Sequence, residues 1–273
     1  MGSQLAHRSR MSVSPNLCRE QLLGYDVYSR GMQPLIDDIV GTIAADGPPA
    51  AAWLACLNPH SYAVARANGL FRSALRSARW LVPDGAGIVL ASRLLSGSIG
   101  ERVSGPDVFL AVSAALNARG PFTTLFMGSG EATLALIRER YSADFPNARL
   151  VHTHSPPFRD QFSLAEVAEM QYVINQHRPD VLWLGMTAPK QEVLLAQLSQ
   201  SGTFRFAAGI GAAFDFYVGT VRRSPPVFRR LGLEWLPRLV QQPRRLWRRM
   251  FVSAPIFLMD VARDALRLGR FGA

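Results

Sequence analysis

The chain has 273 residues, 48% of them hydrophobic and 18% charged, which excludes a disordered or collagen-like protein and leaves room for a substantial core. Formal net charge is +10. Residues 221–273 hold twelve Arg against only Glu234, Asp260 and Asp264, so the body is nearly neutral and the tail strongly basic.

Residues 1–20 are polar and unpatterned and read as a mobile leader without the apolar stretch of a signal peptide. Leu22 to Tyr28 reads as a first strand. Met32 to Ala45 has helical spacing of Leu35, Ile36, Ile39, Val40 and Ile43, and Asp46-Gly47-Pro48-Pro49 stops it. Ala50 to Leu57 is a buried-strand pattern ending at Asn58-Pro59, with helices following over Tyr62 to Ala67 and Phe71 to Ala78.

Trp80-Leu81-Val82 closes a short strand at the turn Pro83-Asp84-Gly85, and a helix pattern with Ile88 and Val89 starts at once. A carboxylate at the carboxyl end of a strand is where open α/β sheets place their chemistry, although Asp84 also suits a turn or helix cap. Arg102 to Asp107 is a polar turn opening a helix over Val108 to Asn117.

Phe122 to Met127 is a β-rich run ending in Gly128-Ser129-Gly130, followed by a helix from Glu131 to Tyr141. Arg149 to His152 reads as a short strand, and Ser163 to His177 as a helix with a Ser163/Glu166 capping box. Val181 to Leu184 has the look of a central parallel strand, Gly185 to Pro189 of a loop, and Lys190 to Leu198 of a helix. Phe204 to Ala208 is the last strand, followed by Gly209-Ile210-Gly211 and a short helix through Phe216.

Alternating strands and helices define an α/β fold with a doubly wound, Rossmann-like, mostly parallel sheet. Its strand-to-helix loops then converge on one rim: Asn58, Asp84, Gly128 to Gly130, Gly185 to Gln191 and Gly209 to Gly211. Glycines there allow close approach of a phosphate or serve simply as tight turns. No GxGxxG, Walker or GxSxG sequence is present, which disfavours dinucleotide, P-loop and α/β-hydrolase chemistry. Lys190, the one lysine, and Gln191 bring a cation and an amide to the rim, while Glu192 can cap or pair. The five histidines lack metal-site spacing, and Cys18 and Cys56 form no CxxC pair, so neither zinc nor a disulfide framework is expected.

The tail interleaves Trp235, Leu239, Trp247 and Phe251 with Arg238, Arg244, Arg245, Arg248 and Arg249. That composition suits an anionic membrane surface, a solvated basic face or nucleic acid; the apolar content of Phe251 to Leu268 favours lipid. No apolar run reaches the ~18 residues of a membrane span.

Leu57-Asn58-Pro59, Pro83-Asp84-Gly85, Arg102 with Gly105 and Asp107, Pro189 to Glu192, Gly209 to Phe216 and Gly232 to Leu236 stand in the order of one family's motifs. In these the chain resembles the WecG/TagA/CpsF glycosyltransferases, glycosyltransferase family 26, from about Leu22 to Met250. The resemblance implies a metal-independent, cofactor-free inverting transfer from a nucleotide sugar, usually UDP-linked, to a sugar on undecaprenyl diphosphate. It implies peripheral attachment at the cytoplasmic face of a bacterial inner membrane, in envelope glycan or exopolysaccharide synthesis, and is compatible with a homo-oligomer. Residues 21–220 would be catalytic and 221–273 an appendage that binds the membrane and completes the site.

By the same resemblance Asp84 is the general base. Asn58, Arg102 and Gln191 would line the substrate pocket, and Arg238, Arg245 and Arg248 would bind the departing diphosphate; Cys56, Asp107, Gly128, Gly130, Gly185, Lys190, Gly209 and Gly211 are further candidates for substrate contact. Cys56 departs from the family, which often has Thr there, and a thiol is a weaker hydrogen-bond partner than a hydroxyl. The competing readings are a non-catalytic nucleotide-binding module and a basic nucleic-acid binder.

Overall fold

A computed structural model describes residues 18–225, 227–228, 236, 247–267 and 269. The chain begins with an antiparallel hairpin of β1 (Arg19–Leu22) and β2 (Tyr25–Tyr28), then α1 (Met32–Ala44) and β3 (Ala52–Leu57). There follow α2 (Pro59–Ala67), α3 (Gly69–Ser77), β4 (Trp80–Pro83), α4 (Ala86–Leu94) and α5 (Gly105–Arg119). β5 (Phe122–Gly128), α6 (Glu131–Asp144), β6 (Ala148–His154), α7 (Leu164–His177) and β7 (Val181–Gly185) continue the alternation. α8 (Lys190–Leu198), β8 (Phe206–Gly209) and α9 (Ala213–Val218) complete the body. A π-helical turn (Arg249–Ser253) runs into α10 (Ala254–Arg267).

The main sheet is parallel throughout, in the order β4-β3-β8-β7-β5-β6. Apart from the edge strand β6, its strands are largely apolar on both faces, as a sheet covered by helices on both sides requires. Trp53, Ala55, Leu57, Leu182 and Leu184 point to a core shared with α2, α3, α4, α7, α8 and α10. Leu54, Trp80, Val82, Val181 and Trp183 point to a second core with α1, α5, α6 and α9. All strands run the same way, so the loops after β3, β4, β5, β7 and β8 meet at one edge.

The expected first strand is two strands: Leu23 and Gly24 take φ of 50° and 81° and turn the chain back on itself. Arg19 and Glu20, the end of the expected leader, already belong to β1; residues 1–17 lie outside the described part. Glu20 braces the loop after α4, its Oε2 accepting from the Ser98 and Ile99 amides at 2.5 and 2.9 Å. His152 and His177 stack with ring centres 4.5 Å apart.

The basic tail returns to the body. Phe257, Val261 and Ala265 of α10 are buried, with Phe257 edge-on to Tyr62 of α2 at 5.4 Å. Asp260 accepts from the Tyr62 hydroxyl at 2.9 Å and from Arg66 Nη1 at 2.8 Å, and His60 Nδ1 lies 2.8 Å from Ser253 Oγ. One face of this helix is therefore core rather than a free anchor. We expect Phe257→Ala to undock it, since a buried Phe→Ala change costs ~3–5 kcal/mol. Limited proteolysis should then cut within 247–267 while the body resists.

Candidate active site

β3 ends at Asn58 because its side chain caps α2. Asn58 Oδ1 accepts from the His60 and Ser61 amides at 3.1 and 2.9 Å, and Ser61 Oγ accepts from the Asn58 amide at 2.8 Å, a reciprocal cap with Pro59 at the first helical position. The cap fixes which way the carboxamide faces. Its Nδ2 donates to Asp84 Oδ2 at 3.2 Å. Asp84 follows β4, the strand next to β3, and its amide donates to the Leu57 carbonyl at 2.8 Å. Gly85 takes φ 91°, turning the chain at once into α4.

Asp84 and Asn58 open into an inner cleft of about 170 Å³ over β4, β3 and β8, lined also by Cys56, Ser104, Gly105, Gln191, Glu192, Gly209, Phe216 and Arg249. Met186, Thr187, Gly211 and Ala212 are shared with an outer cleft of about 370 Å³ over β7, β5 and β6. The outer cleft is lined by Gly128, Ser129, Gly130, Gly185, Lys190, Phe158, Phe162 and Asp215. The two form one bent groove along the carboxyl edge.

Gly209 lets Gln191 lie across the end of β8: a Cβ there would sit 2.9 Å from Gln191 Cδ. Gln191 Oε1 accepts from the Gly211 amide at 3.0 Å and its Nε2 donates to Glu192 Oε1 at 2.9 Å. Gly128, at φ 97°, packs its Cα against the Gly185 carbonyl, where a Cβ would sit at 2.7 Å. Lys190, after a cis Ala188–Pro189 bond, donates to the Arg159 carbonyl and lies 5.0 and 5.4 Å from the ring centres of Phe158 and Phe162.

Asp107 does not line either cleft. It is bound by Arg223, whose Nη1 and Nη2 reach its two oxygens at 2.7 and 3.0 Å, while Ser104 Oγ donates to it at 2.5 Å. Arg223 and Ser104 hold its carboxyl below the ordinary range against the opposing effect of burial. Arg102 is half-buried near Asp107, also outside the lining of both clefts. Of the three tail arginines expected at the diphosphate, Arg238 and Arg245 lie outside the described residues, and Arg248 is exposed just before the π turn. Arg249, which the expectation passed over, lines the inner cleft instead. Arg223, Phe158, Asp215 and the buried setting of Glu192 were also missed, because each depends on contacts distant in sequence.

Burial dominates the electrostatics. It pushes the Cys56 thiol well up, with the Asp84 and Glu192 carboxylates adding to the shift. It pushes His60 down to about 4, helped by Arg249 and Arg248, so this imidazole is neutral near pH 7. Burial raises the Glu192 carboxyl from 4.5 to about 7. Between those values the folded chain keeps a proton that the unfolded chain has lost, so this group's stabilisation falls as pH rises through the window, by up to ~3 kcal/mol. Glu192→Gln is neutral at every pH. Its urea-unfolding free energy should therefore gain on the wild type by ~2–3 kcal/mol between pH 5 and pH 8. A pH-independent difference would show that Glu192 ionises normally. Among the described residues, no group of three or more His, Cys, Asp or Glu is placed to hold a metal ion.

Fold and groove together are those of an α/β protein that binds a polar ligand across the carboxyl edge of a parallel sheet. The sequence profile of the Glycosyl transferase WecG/TagA/CpsF family matches residues 20–270, and the chain belongs to that family. Relatives from three species carry the name N-acetylglucosaminyldiphosphoundecaprenol N-acetyl-beta-D-mannosaminyltransferase. The one from Bacillus spizizenii is 30% identical over 78% of this chain and 79% of its own length. That from Bacillus subtilis is 26% identical over 78% and 80%. That from Staphylococcus aureus (strain MRSA252) is 24% identical over 91% and 94%.

Proposed function

We propose that this protein transfers an N-acetylhexosamine, N-acetylmannosamine in the first instance, from a nucleotide sugar to N-acetylglucosamine on undecaprenyl diphosphate. The observation that carries the chemistry is Asp84, held at the cleft by an amide whose orientation a helix cap has already fixed. The acceptor hydroxyl attacks the anomeric carbon from the face opposite the leaving group. Its proton passes to Asp84, and the carbon–oxygen bond to the diphosphate breaks with its electron pair leaving on the phosphate oxygen.

The nucleoside fits the outer cleft, where Phe158, 99% exposed, offers a face for base stacking beside Lys190. The diphosphate then lies where the clefts join, and the reacting sugars lie in the inner cleft. Arg249 at its rim, next to Arg248 in the chain, supplies positive charge that a departing diphosphate needs.

The lipid end of the acceptor favours a protein at the membrane surface. No helix among the described residues is long and apolar enough to cross a bilayer. Trp247, Phe251, Val252, Leu258, Met259 and Leu266 are 48–64% exposed beside Arg248, Arg263 and Arg267, a composition suited to an anionic leaflet. We assign residues 221–273 to this contact and the membrane to the cytoplasmic leaflet, where nucleotide sugars are available. The experiment is a transfer assay with UDP- and GDP-sugars against short lipid-diphosphate acceptors. Transfer from UDP-N-acetylmannosamine to the N-acetylglucosamine acceptor is expected. No transfer from any pairing, with nucleotide binding intact, would leave a binding module.

A further inference from the structure

Glu192 is the feature of the groove that the mechanism above leaves unused. It stands in the first turn of α8, 3% exposed, and lines the inner cleft together with Cys56, Asp84 and Gly209. Gln191 holds its Oε1 at 2.9 Å, and the Gly211 amide holds Gln191 in turn, so the carboxyl cannot swing without breaking that chain. Its Oε2 has no hydrogen-bond partner among the described residues. A buried polar oxygen without a partner is rare in a folded protein and calls for a ligand group to complete it.

The position narrows what that group is. Glu192 lies on the side of the inner cleft that continues through Gly211 and Met186 into the outer one, whereas Asn58 and Asp84 come from β3 and β4 at the far side. A sugar whose diphosphate lies at the junction presents its ring to Glu192 before the acceptor hydroxyl reaches Asp84. A pyranose with an acetamido substituent offers hydroxyl and amide hydrogens.

Resting on the transfer reading above, we infer that Glu192 is a specificity residue for the donated sugar: its unpartnered oxygen hydrogen-bonds a ring hydroxyl or the acetamido group, either of which can donate to the carboxyl or accept from it. A sugar that does not make that bond leaves the oxygen unsatisfied and binds less well.

The test separates the sugar from the nucleotide. UDP, UDP-N-acetylmannosamine and UDP-N-acetylglucosamine are titrated calorimetrically into the full chain, its Glu192→Gln variant and its Glu192→Met variant. In the wild type one sugar nucleotide should bind better than UDP. In both variants UDP affinity should stay within about twofold, while that sugar-dependent gain falls by roughly tenfold and discrimination between the two epimers narrows. In turnover the loss should appear first in KM for the sugar nucleotide. Thermal midpoints at or above wild type would show that the fold has lost nothing. An unchanged sugar-dependent gain in both variants, or no such gain in the wild type, overturns the assignment. Because the titration needs no turnover, it remains decisive if the transfer reading itself fails.

Discussion

Asp84→Asn should lower the rate of sugar transfer by ~10³-fold, within the range that a positioned general base contributes. The substitution removes the proton acceptor and keeps the size and shape of the side chain. Asn58 Nδ2 still finds an oxygen, because the new amide can turn its carbonyl toward it, and the backbone bond from residue 84 to the Leu57 carbonyl is untouched. Binding of the sugar nucleotide and the thermal midpoint should therefore remain near wild type. Retained turnover in a well-folded variant would remove Asp84 from the chemistry. Asn58→Ala is the informative companion, since it takes away the helix cap as well as the contact to Asp84. It should lose ~1 kcal/mol of stability in addition to activity.

Removing the appendage should have the second-largest effect. A chain ending at Gly219 loses most of the net positive charge and the contact between Arg223 and Asp107. It should fail to bind anionic vesicles, and its turnover should fall by ~10²–10³-fold, the cost of removing donors aimed at developing charge. Assaying a water-soluble acceptor separates the two roles, because a pure membrane anchor is dispensable there. Full activity on that acceptor would confine the tail to attachment. The cut also bares the seat of Phe257 on Tyr62 and Gly87, so solubility is a poor readout of lost membrane affinity. Arg248→Ala with Arg249→Ala tests the chemistry without opening that seat.

The sequence made local features legible and distant ones illegible, for physical reasons. α8 begins and ends where proline and apolar spacing place it, and the Ser163/Glu166 cap is present as both halves of its hydrogen-bond pair. Alternating segments gave the class of fold, but strand order depends on which helices cover which face, and periodicity does not encode that. The hairpin between β1 and β2 escaped because its turn uses Leu23 at positive φ rather than an Asn-Gly pair. Asp84 and Asn58 could be picked out because both stand at strand ends, yet that a single carboxamide connects them is visible only in space. Asp107 looked like a ligand for substrate; its partner, Arg223, is 116 positions away. Glu192 read as a residue that could cap or pair; its burial depends on how α8 packs on the sheet, where Gly209 of another strand leaves room for Gln191.

The helix that Asn58 caps is also the one that α10 grips. Tyr62 and Arg66, one and two turns along α2, hold Asp260, and His60 meets Ser253. Any force that lifts the C-terminal segment is thus delivered within a few residues of the base, through a rigid rod with no loop between to absorb it. An enzyme wired this way would sense at its reaction centre whether it is seated on its support.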